Sequence, residues 1–114
     1  MMMRWGIYLV NLDPTIGSEQ VKTRPVLIIS SDETNVILPV INMLPLTSLK
    51  QGRRIYPNEV LLKKEQSGLD KDSLVLCYQI RTIDKKRLIK KLGEIKNDDT
   101  KTEIIDALSF QLGL

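Results

Sequence analysis

The chain of 114 residues carries 17 Lys and Arg against 14 Asp and Glu and is 42% hydrophobic. That suits one folded domain, 1–114, argues against a two-domain architecture and excludes disorder as the resting state. With no His and a single Cys it cannot use imidazole catalysis, a His or multi-Cys metal site, or an intrachain disulfide.

Met1–Met3 run into Arg4 without the apolar core of a signal peptide, so the expected location is the cytoplasm. Trp5 to Val10 reads as a first strand, closed by a long turn from Asn11-Leu12-Asp13-Pro14 through Ser18. Pro25 to Ser30 is a continuous apolar run, the pattern of a central strand buried on both faces, and Ser31 to Asn35 supplies polar turn chemistry. Val36 to Thr47 predicts a third strand, kinked because Pro39 and Pro45 cannot donate ladder hydrogen bonds. Val36 to Leu46, the most apolar segment in the chain, is interrupted by Pro39, Asn42 and Pro45 and is too short for a membrane helix.

Asn58 to Lys63 and Ser73 to Ile83 predict further strands, with Glu65 to Asp70 as a loop between them. Asp84 to Arg87 suits one helical turn capped by Asp84. From Asp99 the period becomes helical: Ile104, Ile105, Leu108 and Leu112 mark one face, and Thr100 with Glu103 has capping-box spacing. Five or six short strands and one closing helix predict a mainly β (α+β) domain, a small closed or half-closed antiparallel barrel with the helix packed on it.

Charge is uneven along this order. Residues 1–49 sum to −1, residues 50–91 to +7 and residues 92–114 to −3. Arg53-Arg54, Lys63-Lys64 and the set Arg81, Lys85, Lys86, Arg87, Lys90 and Lys91 form either a phosphate-attracting surface or a solvated face. Gly17 to Pro25 concentrates a carboxylate, hydroxyls, an amide and two cations before a buried strand. There Arg24 either pairs with Glu19 or, anchored by Pro25, projects its guanidinium at a phosphate. Thr47-Ser48 at the end of the third strand either caps a turn or donates to phosphate oxygens. Gln79 and Arg81, two apart in one strand, share a face that is either a groove or solvent-facing. Cys77 reads as buried filler. The carboxylates at Asp98-Asp99 suit a helix start and those at Asp70 and Asp72 a turn, so no metal is expected, and phosphate-loop and dinucleotide fingerprints are lacking.

These residues resemble a known family. Ile7 to Pro14, Gly17-Ser18-Glu19-Gln20 and Arg24 to Ser30 look like the N-terminal signature of the MazF/PemK family. The likeness continues through Pro45-Leu46-Thr47-Ser48, Glu59-Val60, Gly68-Leu69, Asp72-Ser73 and Gln79 to Lys85. It implies an SH3-like barrel with a C-terminal helix. It also implies a toxin that acts as a metal-independent endoribonuclease on single-stranded RNA, needs no cofactor, forms a homodimer and is held in check by a MazE-like antitoxin whose disordered tail folds on binding. Arg24 and Thr47 match the family's catalytic arginine and threonine, and Glu19 matches an acidic residue implicated in some members. Ser18, Gln20, Ser48, Gln79 and Arg81 are the matched candidates for RNA contacts. The chain departs from the pattern at Trp5-Gly6, where many relatives have Gly-Asp; Trp5 there either stacks a base or serves the core or a dimer. The alternatives on the same barrel are a CcdB-like toxin that binds gyrase and cuts nothing, and a small-barrel nucleic-acid-binding protein.

Overall fold

The computed structural model describes residues 3–12 and 22–114, in which seven antiparallel strands join into one sheet accompanied by three α-helices. The strands are β1 (Gly6–Asn11), β2 (Thr23–Ile28), β3 (Val40–Ser48), β4 (Glu59–Leu62), β5 (Ser73–Leu76), β6 (Arg81–Asp84) and β7 (Leu88–Glu94). The helices are α1 (Asp32–Ile37), α2 (Lys64–Ser67) and α3 (Asp98–Leu112). Pairing runs β4-β5-β3-β2-β1-β7, with β6 also against β3. This is the expected mainly β (α+β) class with a C-terminal helix, and the sheet is not closed: among the described residues β4 and β7 end the path of pairing, and β6 pairs with β3 alone.

β3 organises the sheet because its partners change along its length. Val40–Met43 pair with β6, whereas Leu46–Ser48 pair with β5. Pro45, without an N–H to donate, stands at the changeover. The segment expected as one strand from Ser73 to Ile83 is correspondingly broken into β5, a 3-10 turn over Cys77–Gln79, and β6.

Alternation along the central strands fills two cores, one on each side. Ile7, Leu27, Leu44, Leu46, Val60 and Val75 meet Ile104 and Ala107 of α3 on one face. Tyr8, Val10, Val26, Ile28, Ile41, Met43 and Ile83 form the other. Val26, Leu27 and Ile28 are each completely buried, as the continuous apolar run predicts. Burying each such side chain contributes about 1.5–3 kcal/mol.

Five local expectations give way in the structure. The polar segment at 32–35 continues through Val36 and Ile37 as α1, because the Ser31 hydroxyl accepts from the Thr34 amide and caps it, so β3 begins only at Val40. The expected loop at 65–70 contains α2, ended by Gly68 in the left-handed conformation. The cap of α3 is Asn97, whose side chain accepts from the Thr100 amide at 3.0 Å, so Thr100 is the buried third residue of the helix. The face that α3 buries carries Thr100, Ile104 and Ala107, while Ile105 and Leu112 stay exposed. β7 was not expected at all: its pairing with β1 is interrupted by register shifts between Ile7 and Tyr8 and between Leu9 and Val10, which erase the alternation in Leu88 to Glu94. The turn at Lys85–Arg87, by contrast, is capped by the Asp84 carboxylate as expected. No helix among the described residues is long and apolar enough to cross a membrane.

Candidate functional site

Two prolines set the local geometry. The β2–β3 ladder pairs Val26 with Pro45, Leu27 with Leu44 and Ile28 with Met43. The ladder stops at Val26 and Pro45, and Pro25 and Leu46 are the next residues on the two strands. A proline nitrogen has no hydrogen to give the Leu46 carbonyl, and Arg24 Nε gives one instead, at 3.2 Å. That bond lays the half-buried guanidinium against β3, and among the described residues its terminal nitrogens take no other hydrogen bond.

Arg24 and Thr47 therefore line one shallow cleft of about 460 Å³ together with Ser48, Asp70, Lys71 and Ser73. A guanidinium fixed through its Nε and presenting its outer edge beside a hydroxyl suits an anion with several acceptor oxygens. Lys71 adds a second cation, and it escaped the sequence reading because the flanking Asp70 and Asp72 mark the segment as an ordinary turn. Only the register of β3 with β5, which sets Ser48 against Ser73, carries that turn to the cleft wall.

The remaining candidates separate. Ser18, Glu19 and Gln20 lie outside the described residues. Gln79 belongs to the 3-10 turn and Arg81 to β6, so they do not share a strand face, and neither lines the cleft. Arg81 is paired with Met43, which places it on the Arg24 side of the sheet but farther along β3. Trp5 packs against the α3-side core, flanked by the cations of Arg4 at 5.1 Å and Lys101 at 5.8 Å from its ring centre, and is absent from the cleft lining.

Arg53, expected on the basic surface, is committed elsewhere. Its two terminal nitrogens donate to the buried Glu59 carboxylate at 2.9 and 2.7 Å, and the Tyr56 amide donates to the same group at 3.0 Å. The Arg53 hydrogen bonds hold the Glu59 carboxyl below the usual carboxylate range against the opposing push of burial, and the same pair raises Arg53. Cys77 is fully buried; burial pushes its thiol up to about 11, so it is an inert core residue as expected. Among the described residues no cluster of three or more His, Cys, Asp or Glu side chains gathers as a metal site.

Residues 3–111 match the family described as the PemK-like, MazF-like toxin of type II toxin-antitoxin systems. Three solved structures share the whole architecture. An endoribonuclease in complex with its cognate antitoxin from Mycobacterial species is 26% identical, with a TM-score of 0.81, over 100% of this chain and 97% of that one. An endoribonuclease from Mycobacterial species is 26% identical, with a TM-score of 0.78, over 99% of this chain and 92% of that one. A MazE-MazF complex (Form-II) from Deinococcus radiodurans is 28% identical, with a TM-score of 0.79, over 99% of this chain and 96% of that one.

Proposed function

The chain belongs to the PemK-like, MazF-like toxin family of type II toxin-antitoxin systems, and on that premise we propose that it is a sequence-specific, metal-independent endoribonuclease acting on single-stranded RNA. The observation that carries this reading is that Arg24, anchored through its Nε on the Leu46 carbonyl, and Thr47 line the wall of one cleft. RNA brings its own nucleophile. The 2′-oxygen loses its proton and bonds to the adjacent phosphorus while the bond from phosphorus to the 5′-oxygen breaks, and a proton passes to that leaving oxygen. The products are a 2′,3′-cyclic phosphate and a 5′-hydroxyl.

Arg24 and Thr47 donate hydrogen bonds to the non-bridging oxygens, where negative charge grows in the transition state, and Lys71 adds field strength from across the cleft. Glu19, matched by sequence, is the proposed proton acceptor. Ser18, Gln20 and Ser48 are proposed to hold the RNA beside the scissile phosphate, with Gln79 and Arg81 contacting it farther away. The reading includes a homodimer, for which the exposed apolar run Val36, Ile37 and Leu38 at the end of α1 is a fitting contact, and a cognate antitoxin of the kind bound in the relatives' complexes.

The test is a long single-stranded RNA incubated in EDTA with the wild-type protein and with Arg24→Ala, followed by end mapping. Wild type is expected to scatter light as two chains and to leave discrete cuts with the two ends named above. Losing one charge-stabilising donor is expected to lower the rate about 10²–10³-fold in a variant that still folds. Equal cutting by Arg24→Ala would remove that residue from the mechanism. No cutting by folded wild type would overturn the nuclease, and gyrase inhibition would then be measured.

A further inference from the structure

The chain has only five aromatic residues, and three of them converge on one surface cleft of about 450 Å³ away from the Arg24–Thr47 wall. Tyr56, Tyr78 and Phe110 line it and are 50%, 41% and 64% exposed, a cost in apolar surface with no core packing to offset it. The cleft is built rather than incidental. The buried Glu59 carboxylate holds both Arg53 and the Tyr56 amide, which orients the loop carrying Tyr56. Arg54 stands over the Tyr56 ring at 5.2 Å, and the Asn58 amide is bonded to Gln111 of α3 at 3.1 Å.

The surroundings identify the ligand. Between this cleft and the Arg24–Thr47 cleft lies a third, where the cations Lys50, Lys64 and Lys71 outnumber Asp70 and Asp72, Asp72 already accepts from the Lys64 amide, and Arg53 lines the wall while its charge is taken up by Glu59. It shares Asp70 and Lys71 with the first cleft and Arg53 with the aromatic one, so the three form a continuous track. Ser73 lines one end and Tyr78, in the 3-10 turn after β5, the other; three strand steps of about 3.3 Å and two 3-10 steps of about 2.0 Å put the two backbone positions no more than about 15 Å apart. Beyond Phe110, α3 turns acidic with Glu103 and Asp106, which closes the track to a polyanion. A cationic path for a backbone that ends on exposed rings is the arrangement that binds a single strand and stacks its unpaired base.

We propose that Tyr56, Tyr78 and Phe110 form a base-stacking subsite that holds an unpaired nucleobase a few nucleotides from the phosphate at Arg24 and Thr47. The proposal rests on the ribonuclease reading and adds to it a second point of grip on the same strand. The probe is a fluorescein-labelled 2′-O-methyl RNA of mixed sequence, which has the bases and phosphates but no nucleophile, and its anisotropy is titrated with full-length protein. Phe110→Ala and Tyr56→Ala, both at exposed rings, are each expected to bind about 5- to 100-fold more weakly, with circular dichroism unchanged. Phe110→Trp is expected to bind at least as tightly as wild type, because it keeps a stacking face. Undiminished affinity in both alanine variants, with wild type cutting RNA normally, would overturn the subsite and leave the nuclease standing. Failure of wild type to bind or cut RNA at all would overturn both. Loss of affinity for an apolar peptide, with RNA affinity kept, would assign the cleft to a protein partner and overturn the proposal.

Discussion

Arg24 owes its posture to the residue after it. Proline at position 25 leaves the Leu46 carbonyl without a backbone donor on the facing strand, and the Arg24 Nε hydrogen occupies that acceptor. Placing a backbone N–H at position 25 would offer Leu46 a competing donor and free the guanidinium to rotate. Pro25→Val is therefore expected to fold, since a β-branched residue suits a strand, yet to cut RNA about ten- to a hundredfold more slowly. Cleavage rate compared with urea stability checks this; equal loss in both would mean that Pro25 serves only the fold. The sequence pointed to Arg24 and Thr47 as candidates by residue type and by likeness. It could not bring them together, because they are 23 positions apart and only the packing of β2 beside β3 puts both in the wall of one cleft.

At the level of elements, the approach of α2 to β7 is the tightest constraint. A Cβ on Gly93 would lie 1.9 Å from the Ser67 carbonyl oxygen, and one on Gly68 would lie 3.2 Å from the Leu92 carbonyl oxygen. Gly68 also adopts φ of 80°, which ends α2 in the left-handed region. The obstacle at Gly93 is backbone, so it cannot swing aside. Gly93→Ala is expected to cost at least about 1–3 kcal/mol, read from the urea midpoint, as the helix is pushed off the strand. Such a contact between segments 25 positions apart leaves no periodic trace, and β7 is further disguised by its irregular pairing with β1. The regular elements were legible where one face is buried without interruption, as in β2 and α3.

Across the whole molecule, one fully enclosed carboxylate links stability to pH. Arg53 keeps the folded-state pKa of Glu59 below its unfolded value near about 4.3, so the stability this pair contributes is fully present above that value. It is lost as pH falls through the lower, folded pKa. Glu59→Gln is expected to lose about 1–3 kcal/mol at neutral pH, with the gap to wild type narrowing below about pH 4.3. Urea midpoints measured as a function of pH check this, and a constant gap would show that the charge contributes nothing. The charge map changes at this scale too. The basic middle of the sequence is not one patch: Arg53 is neutralised by Glu59, while Lys71 joins the cleft from a turn that reads as acidic.

By itself the sequence determined the mainly β class, the buried central strand, the C-terminal helix and the inert cysteine, because each rests on local periodicity or composition. Its likeness to a toxin family marked Arg24 and Thr47. Tertiary structure alone decided that these two line one cleft, that Gln79 and Arg81 part company at a 3-10 turn, and that three aromatic rings meet at the end of a cationic track. Those outcomes depend on strand register, on a proline's missing hydrogen and on contacts between distant segments, none of which is encoded in any window of neighbouring residues.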